Sequence, residues 1–137
     1  MTEELITPEN LSTELLKTIF ESAYMNVEID EDGDLKIKEE CTVYVRPNKK
    51  YKDRISLLCM YGFKDSSMDT ERLECVNLIN RKFIITRAYA TDKGNLCFEY
   101  DFLLEGGITR KTLVLGIKRF ASIPRVAVKK FSDGIIE

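Results

Sequence analysis

The chain has 137 residues, of which 44% are apolar and 32% charged, and it contains no histidine. This composition is typical of a folded protein rather than of a disordered or membrane-spanning chain, and we expect residues 1–137 to form a single domain. Without histidine, the chain cannot form a Ser-His-Asp or Cys-His nucleophile pair or a histidine-ligated zinc site. The net charge of −2 excludes a globally basic nucleic-acid binder.

The N-terminal segment MTEELITPEN is acidic and has no apolar core of the kind found in signal peptides, and no apolar run approaches the ~18–20 residues that span a bilayer. We therefore expect a cytoplasmic protein that does not contact membranes. Cys41, Cys59, Cys75 and Cys97 form no CxxC motif, which favours reduced, buried thiols; a disulfide pair or an all-cysteine metal site is the alternative. We expect no cofactor and no metal.

The first predicted element is a helix that begins at Thr7-Pro8, where threonine would cap the helix and proline would occupy its first position. Residues 1–6 are expected to be frayed. Apolar residues then follow at helical spacing and predict one buried stripe. The stripe contains Leu11, Leu15, Leu16, Ile19, Phe20, Ala23 and Tyr24.

An acidic turn, DEDGD at residues 30–34, lies between two short alternating segments and predicts a hairpin in which Gly33 adopts a positive φ. The same region is similar to a calcium-binding EF-hand loop. The matching positions are Glu28, Asp30, Asp32, Gly33 and Glu39. Lys36 within the loop and the strand-like flanks favour a solvated hairpin turn over a calcium site.

Two further strands are predicted before the second helix. The first contains Cys41, Val43 and Val45 and ends at Pro47; the second covers residues 55–63. Apolar residues on both faces of the second strand, including Leu58 and Met60, indicate a central strand that is covered on both sides.

Asp69-Thr70-Glu71 predicts the start of the second helix, whose apolar positions are Leu73, Val76, Ile79 and Phe83. A second hairpin follows, with arms at residues 84–90 and 95–104. The last helix begins after Thr109 and has a continuous apolar stripe through Pro124. We favour one long helix kinked at this proline, with two separate helices as the alternative, and a short tail at residues 132–137.

These elements follow the order α-β-β-β-β-α-β-β-α and contain no linker or repeat. An antiparallel arrangement with the helices mainly on one face of the sheet would bury every apolar stripe. The predicted fold class is therefore α+β, with a twisted antiparallel sheet of about five strands.

Asn77 and Asn80 lie on the second predicted helix, and the helical spacing places Asn80 on its inward face. A buried amide needs hydrogen-bond partners, so we interpret this pair as structural polar residues that fix the helix to the sheet or a loop. A ligand-binding amide is the alternative.

The net charge conceals a strong asymmetry along the chain. Residues 1–40 contain 12 acids and 3 bases, a net charge of −9, whereas residues 110–130 contain 7 bases and no acid. This basic helix face, with apolar residues among its charges, is either a solvated face paired with the acidic segment or a docking surface. The candidate partner-binding residues are Lys111, Val114, Leu115, Lys118, Arg125, Val126 and Lys129.

From about Leu11 to Phe131, the sequence resembles the YbjN-like family of bacterial sensory-transduction regulators. The resemblance rests on the order of elements, on the segment VNLINRKF with Asn77 and Asn80, and on the strand that ends EYDFLLEGGIT. The lack of tryptophan and the basic last helix depart from it. The resemblance implies a fold similar to type III secretion chaperones, which are often dimeric and bind protein clients. It implies no catalytic residues.

We therefore expect a non-enzymatic, protein-binding adaptor or chaperone-like regulator in bacterial sensory or stress signalling, with a protein client or a second copy as its partner. The alternative is a protein that binds nucleic acid or an anionic ligand through the basic face of the last helix.

Overall fold

The computed structural model describes residues 4–137, which form four helices and six strands. The strands belong to one antiparallel sheet of order β1-β2-β3-β4-β6-β5. The elements are α1 (Thr13–Ser22), β1 (Asn26–Ile29), β2 (Leu35–Lys38), β3 (Thr42–Pro47), β4 (Arg54–Gly62), α2 (Asp69–Lys82), β5 (Arg87–Ala90), β6 (Asn95–Leu103), α3 (Arg110–Ala121) and α4 (Pro124–Phe131).

The predicted α+β class is confirmed, and the sheet has six strands rather than about five because the short outer arms of both hairpins belong to it. Both predicted hairpins form, and Gly33 adopts the expected positive φ of 83°. Strands rather than helices flank the acidic turn, and two backbone N–H groups donate to the carboxylate of Asp30. That turn is therefore a hairpin turn and does not have the helix-loop-helix form of an EF-hand.

One face of the sheet carries the hydrophobic core, because every second residue of each strand points toward the helices. The core cluster includes buried side chains from all four helices. The helical members include Leu16, Ile19, Phe20, Cys75, Ile79, Leu113, Ile117, Phe120 and Ala127. The other face is uncovered; we call it the open face. There Leu58 is buried, but Met60 is 44% exposed, so the expectation that β4 is covered on both sides is wrong.

The first helix begins five residues later than predicted. Asn10 accepts a hydrogen bond from the Thr7 N–H at 2.9 Å and donates to the Leu5 carbonyl at 2.8 Å, which closes a separate turn. The helix then starts after Ser12, whose hydroxyl accepts from the Leu15 N–H at 3.0 Å. Tyr24 was expected on the buried stripe but follows the helix with a φ of 59° and is 98% exposed.

The ends of the described chain are tied to the fold. Ile6 is buried and exchanges two backbone hydrogen bonds with Ile108, at 2.8 and 3.0 Å, so the expectation of fraying through residue 6 is wrong at this position. Residues 1–3 lie outside the described residues. The C-terminal tail runs beside the end of β4, where Glu137 donates to the Gly62 carbonyl at 2.9 Å and Lys64 donates to that of Ile135 at 2.8 Å.

The last helical segment consists of two helices, so the preferred single kinked helix is wrong and the alternative is correct. Pro124 has no N–H with which to continue the ladder of α3. Ser122 and Ile123 instead donate three residues back, to the carbonyls of Arg119 and Phe120, which tightens the last turn and ends the helix.

Two apolar residues around the second helix differ from the sequence-based expectations, which were burial for Leu73 and a strand beginning at residue 84 for Ile84. Leu73, on α2, is 63% exposed, and the buried face of this helix is formed by Cys75 and Ile79. Ile84 is 73% exposed because β5 begins only at Arg87.

Helix α3 lies close against strand β6 at Gly116. A Cβ atom at this position would lie 2.5 Å from Cζ of Phe102, well inside van der Waals contact. Glycine is therefore required here for close packing and not for its backbone conformation.

We predict that Gly116→Ala lowers the free energy of unfolding by about 1–3 kcal/mol, although alanine is the better helix former, because the added methyl group displaces Phe102. Urea denaturation measures the change. Arg119→Ala, at an exposed position of the same helix, is the control and should leave stability nearly unchanged. Greater stability in Gly116→Ala would show that the packing is looser than described.

Candidate functional site

The seven candidate partner-binding residues lie on α3 and α4 and fall into two groups, because Ser122 and Ile123 separate the helices. The α3 group contains exposed Lys111, Leu115 and Lys118 and half-buried Val114. The α4 group contains exposed Arg125, Val126 and Lys129. The face that sequence spacing predicted as one continuous stripe is therefore two shorter surfaces on either side of the helix break.

Part of the basic charge is paired within the chain. The Lys118 ammonium lies 3.9 Å from the carboxylate of Glu39, and the Arg110 guanidinium lies 3.9 Å from that of Glu4. Both acids belong to the acidic segment at residues 1–40, so opposite charges in the sequence meet in the fold. Exposed pairs of this kind contribute little stability, and they reduce the positive field at the α3 surface.

Apolar side chains remain exposed among these charges. Leu115 is 53% exposed and Val126 is 52% exposed. On the same helix as Leu115, Lys111 and Val114 line a shallow cavity of about 270 Å³ that the end of α1 completes. Apolar area surrounded by charged residues is typical of a surface that contacts a protein.

Sequence reasoning missed a second feature, a cleft of about 730 Å³ between β3 and β4. The two strands pair only as far as Tyr44 and Leu58. Beyond this point β3 stays paired with β2, and β4 stays paired with β6 as far as Gly62, so the sheet divides. We call this gap the strand cleft.

The strand cleft has a charged mouth and a less polar floor. The open-face side, with the turn before β3, is lined by Glu28, Lys36, Lys38, Glu40, Thr42, Tyr44 and Met60. The core side is lined by Cys41, Cys59, Tyr61 and Arg125. Arg125, expected on a free helix face, thus also borders this cleft, close enough to Tyr61 to act on it electrostatically.

Two thiols lie at the core side of the strand cleft. Cys41 is half-buried and donates to the Ala121 carbonyl at 3.6 Å, whereas Cys59 is 2% exposed. The hydrogen bond from the Cys59 thiol lowers the pKa of Cys41, against the opposing effects of burial, Glu40 and Glu39. The same contact, together with burial, raises the pKa of Cys59 well above its ordinary value. Of the two thiols, Cys41 therefore loses its proton more readily.

All four cysteines are free thiols, and three of them are buried as expected. Cys75 lies 2.9 Å from the Ser132 hydroxyl, remote from the strand cleft. Cys97 lies on the open face, opposite Met60 in the strand register. Throughout residues 4–137, no three acidic or cysteine side chains are grouped closely enough to hold a metal ion.

The two candidate structural asparagines differ in their surroundings. The Asn80 amide donates to the Ala88 carbonyl at 3.0 Å, and its oxygen accepts from the Ala88 N–H at 2.9 Å, so both halves of the amide link α2 to β5. The residue as a whole is exposed, whereas the two hydrogen bonds of its amide are partly buried, as expected. Asn77 is also exposed, and among the described residues its side chain has no hydrogen-bond partner.

The fold places the protein in a structural class of small α+β proteins that includes type III secretion chaperones. The crystal structure of the Yersinia pestis type III secretion chaperone SycH, in complex with a stable fragment of YscM2, has a TM-score of 0.54 at 13% identity. The match covers 85% of this chain and 97% of that chain.

Within that class, the chain belongs to the YbjN family, described as "Putative bacterial sensory transduction regulator", whose profile matches residues 12–125. The crystal structure of YbjN from E. coli, described as "a putative transcription regulator", has a TM-score of 0.75 at 11% identity and covers 93% of this chain and 96% of that chain. An uncharacterized protein from Methanothermobacter thermautotrophicus has a TM-score of 0.62 at 13% identity, with 90% and 98% covered. Among curated proteins, none matches at the sequence level.

The family match assigns the chain to a family described as a regulator, as the resemblance implied. Between residues 4 and 137, no helix has the length and apolar character needed to cross a bilayer.

We predict that Asn80→Leu lowers the free energy of unfolding by about 1–2 kcal/mol because two hydrogen bonds to Ala88 are lost. The loss is expected even though leucine has a higher helix propensity than asparagine. Thermal or urea denaturation measures the loss. Asn77→Leu is the matched control on the same helix and should leave stability within about 0.5 kcal/mol. Equal effects of the two changes would contradict a role for the bonds to Ala88.

Proposed function

We propose that this protein is a non-enzymatic adaptor that binds protein through the exposed residues of α3 and α4, and that its first partner is a second copy of itself. The observation that carries the proposal is the exposure of Leu115 and Val126, each about half accessible, among the lysines of these helices. Burial of such side chains at an interface favours association.

The charge distribution supports self-association. The segment at residues 1–40 carries a net −9, and residues 110–130 carry +7, so two copies related by a two-fold axis can each offer a basic surface to an acidic one. The pair Lys118–Glu39 shows that such contacts already form within one chain. Charges at the rim would then set orientation and the rate of encounter.

Structural neighbours support protein binding as the activity. SycH, which shares this fold at 13% identity, is known in complex with a fragment of another protein. A chain without histidine also lacks the residue that most often serves as a general acid or base near neutral pH. The proposal places the single domain in the cytoplasm, where four free cysteines stay reduced.

We predict that the wild-type protein is a dimer at micromolar concentration and that the double variant Leu115→Ser, Val126→Ser dissociates at least about tenfold more readily. Light scattering across a dilution series measures both. Leu73→Ser, at a similarly exposed leucine on α2, is the matched control and should remain dimeric. A strictly monomeric wild type would contradict self-association, and an unchanged double variant would place the interface elsewhere.

Binding of nucleic acid is the competing function, and pairing of Lys118 with Glu39 weakens its electrostatic basis. We predict that duplex DNA or single-stranded RNA binds no more tightly to wild type than to Lys111→Glu, Lys129→Glu. Fluorescence anisotropy at two salt concentrations measures this. An affinity that falls steeply with salt, and is lost in the variant, would favour the nucleic-acid function instead.

A further inference from the structure

The strand cleft is lined by two cysteines that lie on the same face of β3 and β4, offset by two residues in the sheet register. If β3 and β4 stayed paired, their register would place Cys59 opposite Val43 and Tyr61 opposite Cys41. Because the ladder ends at Tyr44 and Leu58, the side chain of Cys41 can instead approach Cys59 across the cleft. Both side chains line the core side of the cleft, and each shifts the pKa of the other.

The two thiols have complementary accessibility. Cys41 is half-buried at the cleft, where a small oxidant can reach it, whereas Cys59 is 2% exposed beside it. Cys41 is also the more acidic of the two thiols, and a reachable, acidic thiol next to a second thiol is the usual arrangement of a redox-sensing pair. Cys75 is bonded to Ser132 and Cys97 lies on the open face, so neither shares this arrangement.

We propose that Cys41 and Cys59 form a reversible, peroxide-responsive dithiol site, with Cys41 as the attacking residue and Cys59 as the resolving residue. The site would remain reduced in a resting cytoplasm and form a disulfide only when a peroxide is present.

The reaction balances with the peroxide as oxidant. The Cys41 thiolate attacks one peroxide oxygen, the O–O bond breaks, and one water leaves after protonation, so that Cys41 becomes a sulfenic acid. The Cys59 sulfur then displaces the hydroxyl from the Cys41 sulfur, its proton leaves with that hydroxyl as a second water, and the S–S bond forms. A small thiol reverses the reaction by disulfide exchange.

The site is connected to the helices of the proposed interface. Cys41 donates its only S–H to the carbonyl of Ala121, the last residue of α3, at 3.6 Å. A disulfide has no S–H, so oxidation removes this bond at the α3–α4 junction, next to Arg125 of α4. This connection rests on the proposed function, but formation of the disulfide does not depend on it.

The test maps the disulfide directly. The reduced full-length protein is treated with a small excess of hydrogen peroxide, quenched by alkylation under denaturing conditions, digested with trypsin and analysed by mass spectrometry. We expect a cross-link between the peptides at residues 39–49 and 55–64, loss of two of the four alkylatable thiols, and full recovery of both after dithiothreitol.

The variants separate this pair from the other cysteines. Cys41→Ser should abolish the intramolecular cross-link at a half-buried position that tolerates serine, and Cys97→Ser should leave it intact. Separate alkylation of Cys41 and Cys59 after oxidation would overturn the proposal. Conversion of Cys41 to a sulfinic acid, or a cross-link between two chains, would overturn it equally.

Coupling to the interface is tested separately, by light scattering of the oxidised and reduced protein. We expect the dimer dissociation constant to change by at least about threefold on oxidation of wild type and not of Cys41→Ser. An unchanged constant with a formed disulfide would overturn the coupling alone. A monomer that still forms the disulfide would contradict the proposed self-association and leave the dithiol site intact.

Discussion

The pairing of β4 with β6 is the interaction on which the rest of the fold depends. It extends over nine residue pairs, from Arg54–Leu103 to Gly62–Asn95, and is the longest ladder in the sheet. One face of these two strands supplies Ile55, Leu57, Phe98 and Phe102 to the core, all nearly inaccessible to water. Every helix packs against the layer that this pair organises. The shorter ladders to β3 and β5 depend on it because they extend its edges.

That long ladder also allows the strand cleft to exist. A central strand normally loses hydrogen bonds when a neighbour separates from it, and buried polar backbone without partners is unfavourable. Here β3 remains paired with β2 while β4 remains paired with β6, so each strand keeps one partner where the other is lost. The backbone opposite the gap faces a cleft that is open to solvent. Separation is therefore tolerated without loss of either strand.

Much of the fold was predictable because side-chain periodicity reports burial directly. The alternation in β6 and the acidic turn with Gly33 identified both hairpins, and the order of elements gave the α+β class. Which of the two candidate N-cap residues would begin α1 was not predictable. Ser12 rather than Thr7 caps the helix, because the Asn10 side chain closes an earlier turn. The strand cleft could not be predicted from the sequence either, since Cys41 and Cys59 occupy ordinary inward positions and no sequence pattern shows where the pairing of two strands ends. The basic residues of α3 and α4 were predictable individually, but their division at Pro124 was predicted only as the alternative to one kinked helix.

The short outer strands have a consequence for how the molecule can assemble. Both β1 and β5 contain only four residues, and the tail lies along the end of β4 beyond the strand cleft. Long, flat, unpaired strand edges are the surfaces through which sheets grow from one molecule to the next, and natural proteins blunt them by shortening or covering them. Runaway polymerisation by strand addition is thus disfavoured in this architecture. Assemblies of limited size, built from side-chain surfaces, are what such a sheet permits.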